Sequence, residues 1–237
     1  MRIAELWRYP VKSLRGERLD SFPVTTAGLE GDRGYALFDT ETGFGLTARR
    51  HPALLFAAAR LRADGSAEIT LPDGSVAADD EALSVWLGRP VQLRSSAEQQ
   101  DRRYENPADF EHESTGVWEP FKGSRGAFHD SGRASVSLLS RQSIGDWSAL
   151  RFRANVLLDG AGEDALVGSR VLLGDAVLDV KLRLERCVMG TRPQPDGLEK
   201  DLDLLRTIHR QHYGCLAFGG VVTQPGTVRV GDVVDPL

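Results

Sequence analysis

Arg170-Val171-Leu172-Leu173-Gly174-Asp175-Ala176-Val177-Leu178-Asp179-Val180-Lys181-Leu182-Arg183-Leu184-Glu185-Arg186-Cys187 is the stretch that decides the fold. Residues 170–173 and 177–186 are β-patterned runs, and Gly174-Asp175 between them reads as a two-residue hairpin turn. The pattern repeats in both directions. Residues 3–9, 18–24, 34–39, 54–61 and 67–71 read as strands, with Asp64-Gly65 and Asp73-Gly74 supplying the positive φ that tight turns need. Residues 90–95, 134–139 and 154–158 follow, and 214–222 and 227–234 close the chain. Helices are few. One is expected at 79–87, acidic in its first turn and stopped by Gly88; a second at 140–150, capped by Ser140. A third spans 199–211, where Leu202, Leu205 and Ile208 recur at helical spacing. This spacing predicts a mainly β (α+β) fold of two β-barrel-like modules with a few short helices. A long polar loop at 97–126 is expected to act as a lid or boundary, which sets the modules at 1–96 and 97–237.

Composition narrows the function. A chain of 237 residues buries a real core as one large domain or two small ones. Its net charge of −5 argues against a nucleic-acid or anionic-membrane binder, which carries a basic excess. The longest apolar run, 53–59, is too short to span a bilayer, and the first residues carry no secretory h-region. Two cysteines in a chain of this size make no disulfide framework. A cytoplasmic protein with reduced thiols, no nucleic-acid partner and no membrane is expected.

Several chemistries lack their signatures. No Gly-x-Gly-x-x-Gly, Walker loop, His-Glu-x-x-His or Cys-x-x-Cys occurs, so flavin, nicotinamide, iron–sulfur and structural zinc have no support. His209 and His212 share a helical face without an obvious third ligand, and Glu111-His112-Glu113 reads as a solvated loop. Cys187 admits two explanations. A free cysteine is by default a small buried hydrophobe. Flanking Arg186 and Arg192 favour the thiolate, the form that acts as nucleophile or soft-metal ligand. Cys215, without cationic neighbours in sequence, reads as a buried core thiol. Lys12 and Ser13 follow the first strand, Arg33 lies in a glycine-rich turn, and Thr47, Arg49, Arg153 and Asn155 sit in further loops. Converging Arg, Lys and Ser suit a polar, phosphate-bearing heterocycle.

These motifs carry a resemblance. Tyr9-Pro10-Val11-Lys12-Ser13, Gly31-Asp32-Arg33 and Thr47-Ala48-Arg49 resemble the N-terminal β-barrel domain of MOSC proteins. Arg151-Phe152-Arg153-Ala154-Asn155, Arg186-Cys187-Val188-Met189 and Pro225-Gly226-Thr227-Val228-Arg229-Val230-Gly231-Asp232 resemble the MOSC domain itself, and the nearest subgroup is the mARC/YcbX-like reductases of amidoximes and hydroxylamines. The resemblance implies a cleft between two modules that binds molybdenum cofactor (Mo-molybdopterin), with neither pyridoxal phosphate (PLP), flavin nor iron–sulfur cluster in this chain. It implies that Cys187 is the metal ligand and that Lys12, Ser13, Arg33, Thr47, Arg49, Arg153 and Asn155 hold the pterin and its phosphate. Asp130, in Phe128-His129-Asp130-Ser131, matches an acidic residue near the metal and is a catalytic candidate beside Cys187.

The activity implied is reduction of small N-hydroxylated (N–O) substrates. Electrons come from a separate ferredoxin-like or cytochrome b5-like protein, because no ferredoxin domain follows the last barrel strand. The rival is a carrier that holds the cofactor or a persulfide on Cys187 and hands it on without turnover.

Overall fold

The computed structural model describes residues 1–108, 116–130 and 132–237. Glu111-His112-Glu113 and the tip of the expected 97–126 loop fall outside these residues. The fold is mainly β. The first strands are β1 (Arg2–Arg8), β2 (Glu17–Leu19), β3 (Ser21–Thr25) and β4 (Gly28–Leu29). They lead into β5 (Tyr35–Asp39), β6 (Ala58–Leu61), β7 (Ala67–Thr70), α1 (Asp80–Leu87) and β8 (Val91–Ser95). A hairpin of β9 (Arg103–Pro107) and β10 (Trp118–Lys122) comes next. The remainder is β11 (Val136–Ser140), α2 (Arg141–Ile144), β12 (Val156–Asp159), β13 (Arg170–Leu173), β14 (Ala176–Glu185), α3 (Leu202–His212), β15 (Cys215–Gln224), β16 (Gly226–Arg229) and β17 (Val234–Pro236).

One eight-stranded sheet runs β17-β13-β14-β15-β11-β12-β1-β2, and a smaller one runs β16-β3-β4. Strands from both ends of the chain therefore share sheets: β1 pairs antiparallel with β12, and β3 with β16. Their inner faces make one core, in which Ile3, Leu6, Phe22 and Val24 meet Leu138, Val156, Leu158 and Leu178. A second core is built within the first hundred residues from Val11, Leu14, Leu37, Leu54, Leu83 and Val91. Met189, two residues beyond Cys187, packs against this second core, so the thiol's loop is clamped onto the N-terminal module.

The turn chemistry is as the sequence indicates. Gly65 and Gly74 take φ of 83° and 87°, and the preceding Asp64 and Asp73 each accept the backbone N–H of Ser66 and Ser75. Gly174, at φ 60°, turns β13 into β14. Gly220 of β15 meets a different demand, since a Cβ there would lie 2.7 Å from the Asp179 carbonyl of β14.

Six expectations change. The run 18–24 breaks at Asp20, whose carbonyl accepts Val230 N–H as the chain passes from the large sheet into the small one. Only 58–61 of the run 54–61 is strand; Pro52 opens a 3-10 turn, Pro52–Phe56, that buries Leu54 and Leu55 together instead of alternately. The polar stretch 97–126 contains the β9–β10 hairpin, pinned by cross-strand pairs such as Tyr104 with Phe121. The helix expected at 140–150 lasts four residues before Gly145, at φ 60°, ends it, although Ser140 caps it by accepting Ser143 N–H. In α3 the buried residues are Leu204 and Ile208, while Leu202 is exposed. Gly231, at φ 93°, divides 227–234 into two strands in different sheets.

Leu6 is fully buried on β1, in the middle of the shared core. Leu6→Ala is expected to lower unfolding stability by about 2–5 kcal/mol, read from the denaturant midpoint. An unchanged midpoint would mean that β1 is no part of this core.

Candidate functional site

The loop after β1 is set by backbone hydrogen bonds. Lys12 N–H donates to the Tyr35 carbonyl at 2.8 Å, Arg33 N–H to the Tyr9 carbonyl at 2.7 Å, and Ala48 N–H to Ser13 Oγ at 2.9 Å. This draws three separate loops to one point. Three residues there hold the left-handed backbone that only glycine adopts freely: Ser13 at φ 70°, Arg33 at 50° and Arg153 at 52°. Backbone strain of this kind gathers where function over-determines the structure.

Two guanidinium groups share one aromatic ring. Arg33 and Arg153 lie 4.6 and 4.4 Å from the Tyr9 ring centroid. Arg33 also pairs with the buried carboxylate of Asp32 and donates to the Arg153 carbonyl, and Arg153 donates to the Leu14 carbonyl. Burial, with Arg33 alongside, depresses Arg153 to about 10, and burial lifts the Tyr9 hydroxyl to about 12. Lys12 donates to the Phe128 carbonyl at 3.0 Å and pairs with Asp130. The Lys12 ammonium, with Arg49 and Arg33 behind it, holds the Asp130 carboxyl well below the usual carboxylate range.

Cys187 sits where β14 ends and a 3-10 turn, Val188–Thr191, begins. Its loop is fixed by Arg151, buried, which donates to the carbonyls of Gly190, Arg192 and Glu199. Arg192 donates to the Arg49 carbonyl at 3.1 Å and so joins the thiol's loop to a loop of the N-terminal module. Arg186 donates to the carbonyls of Leu216 and Phe152, lies over the Phe152 ring, and is depressed to about 10 by burial. It interacts electrostatically with both Cys187 and Cys215. Cys215 differs from the sequence reading: it is half-buried, Arg183 and Arg186 are close enough to interact with it, and burial pushes its thiol up. Both cysteines are free.

A cavity of about 570 Å³ opens between these loops, and Lys12, Ser13, Arg33, Thr47, Arg49, Asp130, Arg153, Asn155 and Cys187 all line it. The residues flagged from sequence are thus brought together without exception. They differ in what they can still offer. Asn155 is committed to the fold: its Oδ1 accepts from Ser137 N–H and Oγ–H, and its Nδ2 donates to the Trp7 carbonyl at 3.3 Å. Arg49 Nε, Arg186 Nη2 and Ser135 Oγ, by contrast, are buried polar atoms that find no hydrogen-bond partner among the described residues. Such orphans cost stability unless a ligand satisfies them, and a cluster of cationic donors suits an anion. Ser135, His129 and Arg133 also line the cavity and were missed from sequence. Ser135 had a faint signal, two positions before Ser137 in the run 134–139 expected as a strand, although β11 itself begins at Val136.

Residues 1–104 match the MOSC N-terminal beta barrel domain and residues 123–235 match the MOSC domain; the chain belongs to the MOSC-domain proteins. It is 26% identical to a molybdenum cofactor sulfurase of Drosophila mojavensis over 92% of this chain, which spans only 31% of that protein. It is 25% identical to mitochondrial amidoxime-reducing component 1 of Mus musculus, covering 98% of this chain and 81% of the relative. Among solved structures, the YuaD protein of Bacillus subtilis has the same fold, with a TM-score of 0.50 at 14% identity over 98% of this chain and 93% of the other.

His129 generates a pH prediction. Burial, then the charges of Arg33 and Lys12, depress its imidazole to about 4, against Asp32 and Asp130 which oppose the shift. The unfolded chain takes up this proton near about pH 6.5. Between those values the unfolded state binds more protons, so stability falls as pH drops through the window. His129→Asn is expected to flatten the loss of unfolding midpoint between pH 6.5 and 4, and a slope equal to wild type would show a solvated imidazole.

Proposed function

We propose that this protein is a molybdenum-cofactor-dependent reductase of small N-hydroxylated compounds, fed with electrons by a separate ferredoxin-like or cytochrome b5-like protein. The observation that carries the reading is the meeting of one thiol, Cys187, with buried cationic donors that find no acceptor among the described residues. The residues present fit such a cofactor. Among the described residues no three His, Cys, Asp or Glu side chains gather as a metal cage; Cys187 would offer the metal one soft ligand, and the other ligands would be the cofactor's own. The orphaned donors of Arg49, Arg186 and Ser135 suit the phosphate and polar heterocycle that the cofactor brings. The relatives named for molybdenum cofactor and for amidoxime reduction support the same choice.

In this reading Cys187 ligates the metal, and Lys12, Ser13, Arg33, Arg49 and Arg153 hold the phosphate-bearing pterin. Thr47 lines the same wall, and Asn155 acts through its backbone frame with one Nδ2–H to spare. The bound cofactor supplies the redox chemistry that removes oxygen from an N–O bond. The side chains do the rest. Asp130 remains ionised at neutral pH beside Lys12, so it orients a substrate by accepting a hydrogen bond and is not the source of a proton. The β9–β10 hairpin contributes Tyr104, whose ring lies 5.2 Å from Lys12 Nζ and so supports the Lys12 side chain.

A carrier of cofactor or persulfide is the second reading, favoured by the sulfurase relative. Two measurements decide. Protein from a host that makes the cofactor is expected to contain near-stoichiometric molybdenum, lost in Cys187→Ala; undiminished metal in that variant would remove the ligand role. Metal-loaded protein given a chemical reductant is expected to turn over N-hydroxylated substrates, whereas a broad panel without turnover would establish the carrier.

A further inference from the structure

Among the described residues, Arg102 is a buried guanidinium without an acidic partner. It lies just before β9, only 6% exposed, and all its bonded donors go to backbone carbonyls. Nε donates to Gln99 O at 2.9 Å, Nη2 to Ser96 O at 2.6 Å, and Nη1 to Ser124 O at 2.8 Å and to Gly126 O. Its own carbonyl accepts Gly123 N–H at 2.6 Å. The plane of donors therefore ties the segment entering the hairpin to the segment leaving it. The same guanidinium lies 4.8 Å from the Phe128 ring centroid.

What leaves the hairpin is the acid wall of the cavity. Phe128 N–H donates to the Arg33 carbonyl at 2.7 Å, and the Phe128 carbonyl accepts Lys12 Nζ at 3.0 Å. Asp130, two residues on, pairs with the same ammonium. The Phe128 ring is fully buried against Ala36, Phe38 and Tyr104, so it cannot shift without disturbing that cluster. A path of direct contacts runs from Arg102 through Gly126 and Phe128 to Lys12 and Asp130.

We propose that Arg102 is a positioning residue: it fixes the backbone at 124–128 and thereby holds the Asp130 carboxylate against Lys12 inside the cavity. Only a guanidinium meets the demand, because its rigid fork addresses four carbonyls at once and its flat face stacks on Phe128. A lysine keeps the charge but offers one point of attachment. The cavity role of Asp130 rests on the reading of the preceding subsection, whereas the positioning of its side chain does not.

The test is a side-chain carboxyl NMR titration of the full chain in wild type and Arg102→Lys, with denaturant midpoints alongside. Wild-type Asp130 is expected to stay ionised well below the ordinary carboxylate range. In Arg102→Lys it is expected to move up by about one pH unit or more, toward about 3.9. Asp64, remote and held by Ser66, is expected to titrate alike in both proteins and separates a local effect from general loosening. An Asp130 titration unmoved in Arg102→Lys, with or without a lowered midpoint, overturns the proposal. Should Arg102→Lys fail to fold, Phe128→Leu removes the stacked ring and is expected to shift Asp130 in the same direction; an unchanged titration there overturns it equally. No metal is needed for this readout, so its failure is distinct from loss of the molybdenum assignment.

Discussion

The structure depends on keeping two arginines side by side in a buried place. Arg33 and Arg153 come from the first and second halves of the chain, repel one another, and lose hydration where they meet. Three devices offset this. The electron-rich faces of Tyr9 attract both guanidinium groups. The Asp32 carboxylate, itself buried and anchored by Tyr9 N–H at 2.8 Å, supplies a countercharge. The carbonyls of Leu14 and Arg153 take the remaining bonds. The loops that carry Lys12, Ser13 and Asn155 are positioned around this cluster, and their left-handed backbones are the local cost of bringing side chains so close.

The cavity belongs to neither half of the chain alone. Cations on loops of the first half face a thiol on a loop of the second, and the cross-ties run both ways, from Arg192 to the Arg49 carbonyl and from Lys12 to the Phe128 carbonyl. Each of these two ties joins a charged side chain to backbone, and Lys12 pairs with the Asp130 carboxylate as well. A ligand that draws on the charge of Lys12 or Arg153 therefore meets groups whose orientation is already fixed, which lowers the ordering cost of binding. The same design explains how a chain of net charge −5 maintains a strongly cationic interior.

Much of this was legible in the sequence. Turn residues fixed the hairpins at Asp64-Gly65, Asp73-Gly74 and Gly174-Asp175, because positive φ is a local demand that one or two residues answer. The nine flagged site residues converge because their motif order reflects a resemblance covering nearly the whole chain. Features set by distant partners were illegible. Nothing around Asp20 or Gly231 announces that the chain changes sheets there, since the partners, Val230 and Ile3, are remote in sequence. The β9–β10 hairpin was hidden for a related reason: its buried residues, Tyr104 and Pro107, lie three apart and give no alternating pattern. Arg102 and Asp32 escaped because a buried charge satisfied by backbone has the same one-letter signature as a surface charge.

The sharing of sheets between the chain's two ends also constrains how the protein can be made. Arg2 pairs with Asp159, and Phe22 with Val228, so although β1 and β3 have nearby partners in β2 and β4, each meets its second partner only after some 150 to 200 further residues have been synthesised. Until then β1 and β3 expose the apolar faces of Ile3, Leu6, Phe22 and Val24 along unpaired edges. The core formed within residues 11–91 can assemble during that interval, whereas the large sheet must wait for the last strands. Synthesis thus passes through a stage in which one half-built domain carries two strands each open along one edge, the stage most exposed to misassociation and the natural point for a chaperone to act.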